Sequence, residues 1–103
     1  MKILIIDDHT LFREGLCHVL NELEDQVATL EAADYDNAMQ HLSANTDLDL
    51  VLLDLNLPGK NGFIVLETIT KQYPALPVVI LSASSLRNDI QRTLDTGAVG
   101  YIP

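Results

Sequence analysis

Four polar residues of this 103-residue chain stand at the C-terminal ends of short apolar runs. Asp7 and Asp8 follow Ile3-Leu4-Ile5-Ile6, Asp54 follows Leu50-Val51-Leu52-Leu53, and Ser82 follows Val78-Val79-Ile80-Leu81. In an open parallel α/β sheet, ligands bind outside the carboxyl ends of the strands, so folding would gather these side chains into one acidic pocket. At about 5 Å and an effective dielectric of 20, each carboxylate pair repels by roughly 3 kcal/mol, and such a cluster calls for a cation. All-oxygen donors with spare coordination positions suit Mg²⁺. A carboxylate beside that ion can attack phosphorus and become an aspartyl phosphate, which makes Asp54 the nucleophile candidate and Ser82 a hydroxyl donor to a phosphoryl oxygen.

Plainer readings stand beside these. Asp7 and Asp8 could cap the helix that follows, and Ser82 could be a capping or turn serine. Asp54 is harder to dismiss, because it closes a buried run beside a turn and Asp is depleted in strands. His9, next to the acid pair, reads as a solvated loop histidine with the pocket in reach. His18 and His41 read as surface or boundary residues of helices, and Cys17 as a small packing residue.

The elements that must position these residues follow from periodicity. Residues 2 to 6 read as a buried strand, and 10 to 23 as a helix with Phe12, Leu16, Val19, Leu20 and Leu23 on its inner face. A second strand spans 26 to 32, and Asp34 caps a helix carrying Ala38, Met39 and Leu42 that stops near Asn45. The third strand, about 48 to 53, is apolar throughout, as a strand covered on both faces requires. Leu57-Pro58-Gly59-Lys60-Asn61-Gly62 is turn chemistry, leading to a third helix with Leu66, Ile69 and Tyr73 that Pro74 ends. Strand four is 78 to 81. Ser84 or Ser85 caps a fourth helix with Leu86, Ile90 and Leu94, Gly97 follows it, and 99 to 102 form strand five. This alternation specifies one α/β domain with a mostly parallel sheet and helices on both faces.

Composition narrows the function classes. Acids outnumber bases 15 to 6 for a net charge of -9, which argues against direct nucleic-acid binding by this segment. The single cysteine permits no intramolecular disulfide and no Cys-based zinc site, and fits a reducing cytoplasm. The first apolar stretch lasts four residues before two aspartates, too short for a signal-peptide core or a membrane span.

Taken together, Asp7-Asp8, the run from Asp54 through Pro58 to Gly62, Ser82-Ala83, and Gly97-Ala-Val-Gly100-Tyr101-Ile-Pro103 resemble a response-regulator receiver domain of two-component signalling. The likeness runs from residue 1 to 103 and is greatest to receivers of LuxR/NarL-type transcription regulators. It implies a flavodoxin-like doubly wound five-stranded sheet in the order 2-1-3-4-5. It further implies phosphorylation of Asp54 by a sensor histidine kinase. Mg²⁺ would be held by Asp8, Asp54 and the Asn56 carbonyl, with Asp7 acting through water, and Ser82 and Tyr101 would form a switch pair. A half-buried strand aromatic with a wet hydroxyl is the plainer reading of Tyr101.

The family also has a lysine directly after the position of Pro103 and a fifth helix, both absent from this chain, so the expectation is a receiver truncated before that helix with an apolar strip of strands three to five uncovered. A homodimer is compatible with the likeness, and DNA would be reached through a following output domain. Two alternatives remain at this level. A haloacid-dehalogenase-like Asp/Mg²⁺ phosphatase would need a second acid where Asn56 stands, and a pseudo-receiver would only bind partners. A dinucleotide fold is weaker still, because Asp-Asp-His-Thr and not a glycine-rich loop follows the first strand.

Overall fold

A computed structural model describes residues 1–23, 26–57, 62–81 and 87–102, with 87–89 described by their backbone alone. The turn expected at 58–61, Ser82, Ala83, the serines 84 and 85 expected to cap a helix, Leu86 and Pro103 lie outside these residues. The order is β1 (Lys2–Ile6), α1 (Thr10–Leu23), β2 (Ala28–Ala32), α2 (Tyr35–Ala44), β3 (Leu50–Asp54), α3 (Gly62–Gln72), β4 (Val78–Leu81), α4 (Arg87–Thr96) and β5 (Gly100–Ile102). All pairings are parallel and the sheet runs β2-β1-β3-β4-β5, the doubly wound order expected.

Alternation along the strands splits the core in two. Leu4, Ile6, Val51, Leu53, Val78 and Ile80 face α2 and α3 in the larger cluster, with Ala38, Leu42, Val65, Leu66 and Ile69. Ile3, Ile5 and Leu52 face the other way, toward Leu16, Cys17 and Leu20 of α1. Cys17 is accordingly a half-buried packing residue.

Element ends differ from the sequence reading for reasons visible in the pairing. β2 begins at Ala28 and not 26, because Ala28 partners Lys2, the first residue of β1, and its N–H reaches Met1 O. β3 begins at Leu50 and reaches Asp54. Upstream, the Asp49 carboxylate accepts the Lys2 N–H at 2.8 Å, while Asp54 gains Leu81 as its β4 partner. Tyr73 lies one residue past α3, although its N–H still bonds Ile69 O before Pro74. α2 is capped as expected, Asp34 accepting from Asn37 N–H at 2.8 Å.

Two helix faces also differ. Phe12, Val19 and Leu23 are exposed, because α1 covers only the β1 side of its face; Leu16, Cys17 and Leu20 make the contact. On α4, among the residues whose side chains are described, the fully buried one is Thr93, whose hydroxyl bonds Ile90 O, and Leu94 is exposed. Gly97 follows α4 at φ 122°, a conformation that favours glycine. On the α1 face of the sheet, Val79 and Leu81 are half-buried and Ile102 is 54% exposed.

Candidate functional site

Strand register brings the acids together. Ile5 and Leu52 are partners in the β1–β3 pairing, and two residues further along each strand stand Asp7 and Asp54, so both point to the same side of the sheet at its carboxyl edge. Asp7 and Asp54 are buried, while Asp8, one residue on, is exposed. The loop after β3 bends back at once: Asn56 N–H donates to Asp54 Oδ1 at 3.0 Å, and Gly62 N–H donates to Leu55 O at 2.7 Å. Any side chain at position 62 would collide with the Leu55 backbone, so only glycine permits this close approach.

His9 enters the cluster although its ring is 67% exposed. Its backbone N–H donates to Asp7 Oδ1 at 2.7 Å, and its Nδ1 lies 2.9 Å from that oxygen, 3.2 Å from Asp8 Oδ1 and 3.8 Å from Asp54 Oδ2. His9 is thus solvated as expected and also reaches the pocket; the same turn that lets Asp7 bind the His9 N–H carries the ring over the carboxylates. That bond also answers the capping alternative for Asp7, whose carboxylate takes an N–H ahead of α1 and not one inside it. One ligand atom each from Asp7, Asp8, His9 and Asp54 lie within 4.8 Å of one another, close enough to share an ion.

Charge in this pocket is poorly balanced. Burial holds the Asp54 carboxyl above the ordinary carboxylate range; the Asn56 N–H offsets part of this, and Asp7 and Asp8 add to it. The hydrogen bond to Asp7, followed by the charge of Asp8, holds the His9 imidazole above its ordinary value.

Arg13 fixes the loop from behind. Its guanidinium donates to the Asp7 carbonyl oxygen and, through Nε, to Glu31 Oε1 of β2 at 3.1 Å. Neither Arg13 nor Glu31 was singled out by sequence reasoning. The only clue was an arginine one turn into a helix that follows an acidic loop.

The remaining site candidates stand as follows. Tyr101, half-buried in β5, partners Ile80 of β4 and packs against the larger core. Ser82 lies outside the described residues. Asn56 directly follows the β3 end, its N–H on Asp54. His18 is exposed and pairs with Glu22 one turn along α1.

Comparison with known proteins is consistent across sequence and structure. Residues 3–103 match the response regulator receiver domain family. The chain is 42% identical over 101 residues to the glycerol metabolism activator of Pseudomonas putida, covering 98% of this chain and 46% of that protein. It is 34% identical over 100 residues to the nitrate/nitrite response regulator protein NarL of Escherichia coli K12, covering 97% and 46%. A LuxR-family two-component response regulator from Aurantimonas sp. SI85-9A1 superposes with a TM-score of 0.89 at 29% identity, over 97% of this chain and 71% of that one. The chain spans about half the length of the curated relatives it matches. Among the described residues, no helix is long and apolar enough to cross a membrane.

Proposed function

Because this chain belongs to the response regulator receiver domain family, we propose that it is the phosphoacceptor of a two-component regulator, modified on Asp54 by a sensor histidine kinase. One observation carries the reading: Asp54 Oδ1 is held by the Asn56 N–H and Oδ2 lies 3.8 Å from His9 Nδ1, in a cluster where one ligand atom each of Asp7, Asp8, His9 and Asp54 lie within 4.8 Å of one another, so the carboxylate is anchored where the acids converge. In the transfer, an Asp54 oxygen forms the bond to phosphorus as the phosphorus–nitrogen bond of the donor phosphohistidine breaks, and the departing imidazole takes up a proton.

The donor chemistry fits a hard divalent cation: three carboxylates converge, two of them buried, and burial, with Asp7 and Asp8 adding to it, holds Asp54 above its ordinary range. Asp8, Asp54 and the Asn56 carbonyl would hold Mg²⁺, with Asp7 acting through water. When bound, the ion neutralises charge on the carboxylates and on the incoming phosphoryl group. Asp7 and Arg13 orient the loop, and Ser82 with Tyr101 would relay phosphorylation to the outer face. The chain acts in the cytoplasm as a phosphoacceptor and not as a separate enzyme, and reaches DNA through an output domain of the LuxR/NarL type.

Incubation of the full-length protein with acetyl phosphate and Mg²⁺, followed by intact-mass measurement, tests this. A gain of one phosphoryl group in wild type and none in Asp54→Ala is expected. Equal labelling of the two would remove Asp54 as the acceptor, and no labelling of wild type would favour a partner-binding pseudo-receiver.

A further inference from the structure

Resting on the acceptor reading above, we infer that Arg92 of α4 is a positioning residue for Asp54, acting through Phe63 at the start of α3. The Arg92 guanidinium carbon lies 3.8 Å from the centroid of the Phe63 ring, a cation–π contact between an exposed arginine and a half-buried aromatic. Phe63 directly follows Gly62, whose N–H bonds Leu55 O and whose position leaves no room for a side chain against the Leu55 backbone. Leu55 stands between Asp54 and Asn56, the residue whose N–H anchors Asp54 Oδ1. A cation held on the Phe63 ring therefore fixes the first turn of α3 at the point where the loop that anchors the acceptor is closed.

α4 is placed to make that contact. Thr70 Oγ1 donates to Thr96 O at 3.3 Å, and a Cβ at Gly97 would meet Thr70 Cγ2 at 2.6 Å, so the end of α4 lies directly against α3. Side chains on a helix lean toward its N-terminus, so Arg92, one turn before Thr96, reaches back to the ring at the start of α3. Among the described side chains of α4 the fully buried one is Thr93 and not a large aliphatic, so the contacts with α3 count for more in seating this helix. Phosphoryl transfer needs the attacking oxygen held near its attack position, and a looser anchor slows the step.

The test uses the full-length protein as wild type, as Arg92→Met, which keeps the stem without the charge, as Arg92→Lys, which keeps a cation for the ring, as Phe63→Leu, and as Phe63→Leu with Arg92→Met. Amide hydrogen exchange measured by NMR without a phosphodonor should show the Asn56 and Gly62 N–H groups exchanging about two- to fivefold faster in Arg92→Met, the scale of an exposed cation–π contact, with Leu52 of β3 unchanged. Phosphoryl uptake from acetyl phosphate with Mg²⁺ should slow by a similar factor. Arg92→Lys should recover part of both losses, and the double variant should be no worse than the more affected single one, because the two side chains act as one contact. Unchanged exchange at Asn56, an equal rise at Leu52, Arg92→Lys no better than Arg92→Met, or losses that multiply in the double variant overturn the inference. Faster exchange with an unchanged rate of uptake overturns it too. A wild type that takes up no phosphoryl group would instead remove the acceptor reading, and the exchange rates alone would then decide whether Arg92 braces the loop.

Discussion

The N–H of Asn56 donates to Asp54 Oδ1 at 3.0 Å, so the residue after the loop's first bend anchors the carboxylate at the end of β3. An amide at position 54 would keep an acceptor for that N–H while removing a charge that burial and two neighbouring acids oppose. Asp54→Asn should therefore be more stable than wild type by about 1–3 kcal/mol without metal, the scale of one carboxylate repulsion at these separations. Urea denaturation in a chelator measures it, and Mg²⁺ should stabilise wild type much more than the variant. A less stable Asp54→Asn would mean that the carboxylate's hydrogen bonding outweighs its repulsion.

Stability without metal should also depend on pH. His9 and Asp54 both bind protons more tightly folded than unfolded. Their contributions are complete below the unfolded values, ordinarily 6.5 for His9 and 3.8 for Asp54, and are lost as pH rises through the higher folded values. In chelator, the unfolding midpoint should fall as pH rises above about 6.5. His9→Gln should flatten the curve over that range. Below about pH 4 the trend reverses, because Asp47 and Glu67 are held low by Lys2 and Lys71 and lose those partners when protonated.

Arg13 ties α1 to the acidic loop and to β2 at once, through the Asp7 carbonyl and Glu31. Arg13→Ala should cost about 1.5–3 kcal/mol, the range for a hydrogen bond to a charged group, and weaken divalent-ion binding because the loop loses its brace. Glu31→Gln should cost less, since the Asp7 bond survives. Denaturation and calorimetry on both variants compare the two; equal losses would place the role in the Glu31 pair alone.

Gly62 allows the chain to fold back onto Leu55. Gly62→Ala must push the start of α3 off the segment that carries Asn56, with an expected loss of about 2–4 kcal/mol from backbone displacement. Phosphoryl uptake from acetyl phosphate should slow as well. A variant with wild-type stability and labelling would show that α3 shifts freely without disturbing the site.

An apolar strip on the α1 side of the sheet includes half-buried Val79 and Leu81 and exposed Ile102, and Phe12 and Val19 of α1 are exposed as well. Covering four aliphatic side chains is worth roughly 6–12 kcal/mol before entropy is subtracted. A polypeptide limited to residues 1–103 should therefore self-associate or unfold at low denaturant. Sedimentation and denaturation check this, and a cooperatively folded monomer at micromolar concentration would contradict it.

Much of this molecule is legible in one dimension. A strand buried on both faces must be apolar throughout, so Ile3–Ile6, Leu50–Leu53 and Val78–Leu81 announce themselves, and the acids directly after the first two announce the carboxyl edge of a parallel sheet. Asp34 and Gly97 mark helix ends because their chemistry is local: a carboxylate on a nearby N–H, and a backbone angle that only glycine adopts easily. What needed the third dimension depends on partners distant in the chain. β2 starts at Ala28 because its register with β1 begins at Lys2, and the inner face of α1 is narrower than its apolar periodicity because the sheet beneath it packs against Leu16, Cys17 and Leu20. His9 and Arg13 belong to the site because a turn and one helical step bring them onto Asp7, whereas Glu31 reaches the same loop from the neighbouring strand. Hydrophobic burial reads out along a chain at fixed period, but the pairing of polar side chains across elements is decided only when the elements meet.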